Sequence, residues 1–420
     1  MNDVAEAYDV AVVGGGPAGL VTAIALSETG ANTVLIARRH AYADNRTTAL
    51  LGGSVEFLED LNVWSRCQDQ AAPLQVMRLV DDTGRLIRAP EVRFSAGEIG
   101  LDAFGYNIEN RMLVSALEDR ATELANLIRL DDEAETITPD DAAVEIRTAG
   151  GKAVSARLVV GADGRHSLSR EAAGIEVRRR DLNQAALTFN LRCSRPHRNI
   201  STEFHTPLGP CVFVPLPGDR CSVVWVTSAK EAERLLALGD DELSEAAEHQ
   251  AHSILGRVRI EPGRHMFPLA IERPARFAWR RIALVGEAAH VVPPIGAQGL
   301  NMGMRDAADI AEIVEKAIEA DEDPGAPPAL RRYDSARRPD VLSRTFAIDI
   351  ANRSLLSDLL PLQSLRATGL QLIGSFGPLR RLAMREGIAP SWRPSWRSGR
   401  RSESPATESE FTETPVGRSG

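Results

Sequence analysis

Near the start of the chain a turn built from glycines sits between a strand and a helix, and few sequence features leave a fold less freedom. Residues 8–13 read YDVAVV, a β-rich run that Gly14, Gly15 and Gly16 bring to a stop. Residues 17–28 then carry helical spacing closed by Gly30, and residues 33–36 (TVLI) form a second strand. Strand, tight turn, helix and strand make a βαβ unit, the opening of a parallel, nucleotide-binding sheet. Within it Gly14, Gly15, Gly16, Pro17, Ala18 and Gly19 fit G-x-G-x-x-G. Gly14 makes the tight turn, Gly16 lets a pyrophosphate reach the backbone, and Gly19 lets the helix pack close to the strand. The first N–H groups of the helix then face the phosphates, so a dinucleotide is the expected ligand.

At the end of the second strand an acid normally takes the ribose hydroxyls. Here Ala37 stands in that place, followed by Arg38 and Arg39. The two arginines suit the 2′-phosphate of NADP, a ribose held in some other way, or simply a solvated turn. Two later segments bear on the choice. Residues 157–170 read RLVVGADGRHSLSR, and residues 281–306 read RIALVGEAAHVVPPIGAQGLNMGMRD. Each places an acid, Asp163 or Glu287, just after a buried strand, where the edge of a sheet meets a cofactor. A plain NADP dehydrogenase has no use for the second. The serines of the first segment read as helix caps, and His290 of the second reads as a structural histidine.

A chain of 420 residues exceeds what one core usually organises, so two domains, or one with a large insertion, are expected. Short strands alternate from 185 to 227 among Pro and Gly turns and predict an antiparallel sheet, the second domain. A β-pair is expected around the Gly150-Gly151 turn, and helices over 111–125, 231–255 and about 302–320. Leucines recur at helical spacing over 354–385, and beyond Pro390 apolar periodicity is lost, which predicts disorder. The net charge of −9 argues against nucleic acid as a partner. Four cysteines without a CxxC pair fit a reducing compartment. Without a signal peptide or an apolar run long enough to span a bilayer, the expectation is a cytoplasmic protein whose membrane contact is peripheral. No His-x-x-x-His or Cys/His cluster offers a metal site, and no G-x-S-x-G elbow offers a nucleophilic serine.

With the glycine turn, the central Asp163-Gly164 and the Gly286-Glu287-Ala-Ala-His290 stretch with its Pro/Gly loop in this order, the chain resembles the flavin-dependent aromatic hydroxylases of the p-hydroxybenzoate hydroxylase class. Residues 44–50 (DNRTTAL), 104–113 (FGYNIENRML) and the leucine-rich C-terminal part are most similar to the hydroxylases of ubiquinone biosynthesis. The resemblance covers about residues 6–388. It implies an α/β fold with a Rossmann-like FAD-binding domain, an inserted, mainly antiparallel β-sheet substrate domain and a helical C-terminal part. The expected boundaries are 1–75, 101–180 and 275–345 for the FAD domain and 76–100 with 181–274 for the substrate domain. The helical part is expected over 346–390 and a disordered tail over 391–420.

The same resemblance implies the site residues. Gly14, Gly16 and Gly19 face the FAD pyrophosphate, Arg46 reaches the phosphate or the isoalloxazine, and Arg111 adds charge at the pyrophosphate. Asp163 serves FAD and the nicotinamide donor, while Glu287, one methylene longer than the usual Asp, meets the ribityl chain. Pro293 and Pro294, with the amides of Gly296, Ala297, Gln298, Gly299, Leu300 and Asn301, line the flavin ring. The implied reaction is hydroxylation of an aromatic ring with NADPH or NADH as co-substrate and O2 as oxidant. The implied substrate is a prenylated phenol of ubiquinone biosynthesis, with peripheral membrane contact or other proteins of that pathway as partners. A hydroxylase of a soluble aromatic or of a secondary metabolite, and a flavin-binding scaffold without turnover, stay open as alternatives. Thirteen leucine, isoleucine and phenylalanine positions over 351–390, mixed with five arginines including Arg380, Arg381 and Arg385, suit either a lipid- or partner-facing surface or an ordinary core.

Overall fold

The expected βαβ unit forms where the glycines place it. In the computed structural model, which describes residues 5–39, 45–85, 88–356, 368–369, 371 and 376–385, strand Glu6–Val13 leads into helix Pro17–Glu28 and returns as strand Thr33–Ile36. Five parallel strands make up the sheet, in the order Ile282–Leu284, Ala153–Gly161, Glu6–Val13, Thr33–Ile36 and Leu127–Leu130. Antiparallel strands flank it: Ala278–Trp279 at the edge, and the hairpin pair Ala134–Pro139 and Val144–Thr148 beside Ala153–Gly161. The parallel strands are short apolar runs because both of their faces are buried. Val10, Val12, Val34, Leu35, Val159 and Val160 are all fully buried. Helix Pro17–Glu28 is apolar nearly all round for the same reason, lying between the sheet and helices Asn110–Ala121 and Gln298–Glu319.

A second sheet hangs on one long strand. Val177–Cys193 pairs antiparallel with His265–Pro274, Arg220–Ser228 and Val258–Ile260 at different points along its length. A register shift between Asp181 and Ala185 interrupts its pairing with His265–Pro274, and pairing with Arg220–Ser228 begins there, at Gln184. Gly209–Leu216 and Ile200–Thr206 extend this sheet, and Val76–Asp81 joins Ile200–Thr206 in its one parallel pair, with Val92–Ser95 at the edge. A smaller antiparallel sheet of Thr47–Leu51, Gly105–Glu109 and Ala71–Pro73 bridges the two.

Local chemistry adjusts two boundaries. The single helix expected over 231–255 is two, Ala229–Leu236 and Asp240–Gln250, because Gly239 restarts the helix and donates its N–H to the Glu242 carboxylate at 3.0 Å. The helix expected from Met302 begins four residues earlier, at Gln298, after Gly296 and Ala297 turn the chain with φ of 65° and 55°. At the C-terminal end, helix Pro327–Leu356 runs for 30 residues, and helix Gly377–Ala383 docks against the second sheet. There Arg380 donates to Glu98 at 2.6 Å and stacks over Phe94, and Met384 is fully buried. Arg380 therefore belongs to a protein contact and not to an open basic face. Most of 357–375 and the whole 391–420 tail, with the disorder expected for it, lie outside the described residues.

Helices Gln298–Glu319 and Pro327–Leu356 are joined by buried charge. Arg337, 2% exposed at its side chain, donates to Asp306 at 2.7 Å and to Asp309 and Asp340 at 2.8 Å. Burial alone raises the Asp306 carboxyl, but His290 and Arg337 overcome it and hold it below the ordinary carboxylate range. A carboxylate depressed in the folded state stabilises the fold above its unfolded value of about 4 and loses that contribution as pH falls through the folded one. Arg337→Ala strips the fully buried Asp306 of its guanidinium and the part-buried Asp309 and Asp340 of a shared cation, and is expected to cost about 3–5 kcal/mol. Urea unfolding at neutral pH measures the loss, and an unchanged midpoint would show the cluster to be dispensable.

Candidate functional site

The parallel strands end together, and their continuing backbone bonds fix what stands at that edge. Gly14 donates to Ile36 at 3.0 Å, Ala162 to Val13 at 2.8 Å, and Val285 to Gly161 at 2.9 Å, so the glycine turn, Asp163-Gly164 and Gly286-Glu287 are brought side by side. Three cavities run into one another along this edge. The first, about 530 Å³, lies between Gly14–Gly16, Ala37 and Asp163. The second, about 360 Å³, shares Gly16, Ala162 and Gly164 with it and reaches Arg46, Thr48 and Glu287. The third, about 310 Å³, shares Glu287, Pro294, Gly299 and Leu300 with the second and ends under the second sheet.

The three motif glycines divide the labour that their spacing predicts. Gly14 has φ of +115°, and a Cβ there would lie 2.3 Å from the Ala162 carbonyl oxygen. A Cβ on Gly19 would lie 1.9 Å from the Gly14 carbonyl oxygen. These two are required by the protein's own packing. A Cβ on Gly16 would meet no protein atom within 4 Å, because it would project into the cleft. Gly16 caps a helix with no acid in its first turn, so the positive end of the helix dipole is left for an anion. A pyrophosphate fits that cradle.

Around it the other expected residues fall into place unevenly. Arg46 lines the second cavity, and its carbonyl accepts from the Asn110 N–H at 2.9 Å. Arg111, next in the chain, is set apart: it bonds to Glu109 at 3.1 Å and lines a separate surface hollow with Arg192, Arg220 and Arg259. Asn110 takes its place in the cleft wall. Asp163 lines the first cavity, but both carboxylate oxygens are engaged by its own loop. Ser167 Oγ donates to one at 2.5 Å, and Ser169 N–H and Oγ donate to the other at 2.9 and 3.0 Å. Ser167 in turn caps helix Leu168–Ala172, as its position predicts. Glu287 is exposed to both the second and third cavities.

The Pro/Gly loop becomes a second helix terminus at the cleft. Two successive left-handed residues, Gly296 and Ala297, swing the start of helix Gln298–Glu319 toward the third cavity, again with no acid in the first turn. Gly299 and Leu300 line it. Gln298 donates to the Gly296 carbonyl at 3.0 Å and accepts from Arg344 at 3.3 Å, which fixes the turn. Asn301 works from behind, donating to the Ala49 carbonyl at 2.8 Å and accepting from Leu51 N–H and Ser54 Oγ at 2.9 and 2.7 Å. It bolts the helix start to the strand that carries Thr47 and Thr48. His290, buried, shares a 2.7 Å hydrogen bond with Asp306 through Nε2, while its Nδ1 has no hydrogen-bond partner among the described residues.

Several lining residues escaped the sequence. Glu118, Asp132 and Glu133 surround the Ala37 end of the first cavity, with Arg129 paired to Glu118 and Arg38 to Glu133 at 3.6 Å. The acidic run 131–133 after an apolar stretch was a usable signal, had the neighbouring strand Leu127–Leu130 been recognised. Ser222, Val224, Phe267 and Glu203 come from the second sheet. Period-two alternation marks them as one face of their strands, but nothing in the sequence tells which face meets the cleft.

Comparison with known proteins agrees with this geometry. Residues 7–343 match the family described as the FAD binding domain. The ubiquinone hydroxylase UbiL of Rhodospirillum rubrum is 34% identical over 387 residues, covering 90% of this chain and 89% of that one. The 3-demethoxyubiquinol 3-hydroxylase of Escherichia coli is 28% identical over 391 residues, covering 90% and 98%. Among solved structures, p-nitrophenol 4-monooxygenase of Pseudomonas putida superposes with a TM-score of 0.76 at 20% identity, covering 92% of this chain and all of that one. The glycines supply a test. Gly16→Val is expected to leave apoprotein stability within about 0.5 kcal/mol, as for a surface change, and to abolish FAD binding. Gly14→Ala is expected to lower stability itself, because its Cβ collides with backbone. Thermal unfolding of apoprotein, paired with flavin-fluorescence titration, separates the two, and normal FAD occupancy in Gly16→Val would place the pyrophosphate elsewhere. A match over residues 7–343, on motifs that the fold gathers at one sheet edge, makes the chain a member of the FAD binding domain family, alongside its ubiquinone hydroxylase relatives.

Proposed function

We propose that the chain is an FAD-dependent monooxygenase that hydroxylates the ring of a prenylated phenol in ubiquinone biosynthesis, with NADPH or NADH as electron donor. One observation carries the reading: the cavity at the glycine turn and the third cavity share the walls formed by Thr48, Glu287, Pro294, Gly299 and Leu300, and the third is lined by apolar residues such as Leu74, Met77, Phe104, Val212 and Phe267. A dinucleotide laid along the cleft ends where an aromatic ring can be taken out of water. FAD, when bound, carries electrons from a reduced nicotinamide to O2 and so supplies the oxidising chemistry. The cradle left open at Gly16 fits its pyrophosphate, Glu287 fits a ribityl hydroxyl, and the amides at Gly299 and Leu300 with the helix dipole behind them fit negative charge on its ring. The chain's own contribution is to hold the ring against that end and to exclude water. The names of the relatives, a ubiquinone hydroxylase and a 3-demethoxyubiquinol 3-hydroxylase, support the choice of substrate.

A substrate with an isoprenoid tail must be drawn from a bilayer, and peripheral contact is the form of access we infer. Among the described residues no helix is long and apolar enough to cross a membrane. Leu342, Phe346 and Ile350 recur every four residues on helix Pro327–Leu356 and are 41%, 65% and 51% exposed, a stripe that one face of the helix presents outward. Phe376 and Leu382, beside Arg381, add exposed apolar surface at the other C-terminal helix. Air oxidation of NADPH and NADH, with and without a prenylated phenol, tests the activity, and hydroxylated product identified by mass spectrometry is the expected result. Phe346→Glu is expected to lower sedimentation with anionic liposomes and turnover of the prenylated phenol severalfold, while a short soluble phenol is hydroxylated as by wild type. Equal turnover of the prenylated phenol in both proteins would remove the membrane from the reading.

A further inference from the structure

The hydroxylase reading leaves one chemical need unmet, a group that accepts the proton of the substrate's ring hydroxyl. A phenol attacks an electrophilic oxygen better as its phenolate, so a base at the hydroxyl lowers the barrier. Among the described residues two titratable side chains line the third cavity, Glu287 from the turn after strand Ile282–Leu284 and Glu203 from the second sheet. Glu203 sits on strand Ile200–Thr206, in register with Leu79 on one side and Val212 on the other. Alternation sends Ser201 and Glu203 toward the cavity and Phe204 into the core behind, where it meets Phe213 edge to face. The Glu203 side chain is only 16% exposed, and its only ion-pair partner among the described residues is His205, whose Nε2 lies 3.0 Å from Oε1. His205 is absent from the cavity lining and 8% exposed; two residues further along the same side of the strand, it holds the carboxylate through Oε1.

A carboxylate in such surroundings is costly unless it is used, since apolar walls replace the water that would solvate it. It caps no helix, and the ladder bonds of its strand are made by backbone alone. We propose that Glu203 is the proton acceptor for the substrate's ring hydroxyl, with His205 as the residue that positions it. The inference rests on the hydroxylase reading above. The O–H bond breaks, the proton passes to Oε2 of Glu203, and the electron pair stays on the phenolic oxygen and enriches the ring. When the hydroxylated ring regains aromaticity it loses its C–H proton to solvent, and Glu203 returns the first proton to the phenolic oxygen. Nothing is oxidised or reduced in the step. The other titratable groups around Glu203 are His205 on its own strand, Asp82 and Cys211 from the adjoining strands, and Glu287 across the cavity. Arg78 pairs with Thr202, which points away.

The test uses holoprotein and two short phenols. One ionises near pH 10, as tyrosine does, and the other carries a nitro group and is already ionised at about pH 8. Glu203→Gln is expected to keep the flavin spectrum and unfolding temperature of wild type. At about pH 8 it is expected to hydroxylate the first phenol about 100-fold more slowly and the second within about threefold of wild type. Its rate on the first phenol should climb as pH approaches 10, where solvent makes the phenolate, and Glu203→Asp should recover part of the loss. Equal losses on both phenols, or none on either, would overturn the assignment to Glu203 while leaving the hydroxylase reading intact. A wild-type protein that hydroxylates neither these phenols nor a prenylated one would overturn both.

Discussion

The carboxylate of Asp306 holds the site together. Fully buried, it accepts from Arg337 Nε, shares a hydrogen bond with His290 Nε2, and takes the Gly286 backbone N–H at 2.9 Å. Those three bonds reach two distant parts of the chain. Arg337 ties the helix that carries Asp306 to the long C-terminal helix, while Gly286 and His290 are the two ends of the turn that exposes Glu287. The start of the same helix is the positive terminus at the third cavity. One buried acid therefore sets the distance between the carboxylate proposed for the ribityl chain and the amides proposed for the flavin ring. Burial makes this rigid: an unpaired charge there costs several kcal/mol, so no partner is free to leave.

The cleft has the electrostatic form that a dinucleotide with a redox-active ring asks for. Two helices aim their N-termini at it, each without an acid in the first turn, so both dipoles act unopposed. The departure at Ala37 is absorbed locally. Arg129 pairs with Glu118 and donates to the Ala37 carbonyl at 3.3 Å, so charge returns to the strand end from a neighbouring strand and helix. Arg38 faces Glu133 at 3.6 Å in the same neighbourhood, with both side chains about half exposed.

The second sheet acts as a lid whose inner face is chosen by register. Thr47 Oγ1 donates to Ser222 Oγ at 2.8 Å, and Asn107 donates to the Pro215 carbonyl and to Ser222, so the small bridging sheet is sewn to the large one along the cavity wall. With that register Met77, Ser201, Glu203, Val212 and Val224 share one side. A slip of one residue would turn Glu203 into the core and Phe204 into the cavity. Stability and specificity are thus set by the same pairing.

What the sequence determined by itself was local. Apolar runs of four to six residues, glycines at fixed offsets and a proline at the first helical position specify strand, turn and helix without reference to the rest of the chain, and the βαβ unit at 6–36 forms accordingly. The order of the three motifs was legible for the same reason, and so was the antiparallel character of the second sheet. The tertiary structure decided what depends on distance in space and not along the chain. Asp306, Arg337 and His290 lie in helices and loops whose periodicity says only that they belong to a buried face, and their meeting follows from how two helices cross. Arg111 and Asn110 differ by one position, yet the turn at Glu109 sends one to a surface hollow and the other into the cleft. Glu203 is one polar residue in a strand of alternating character, and only the packing of the second sheet places it on the wall of the third cavity. Local propensities act through a few bonded neighbours, whereas a site is assembled by packing across hundreds of residues, and that packing is solved by the whole fold at once.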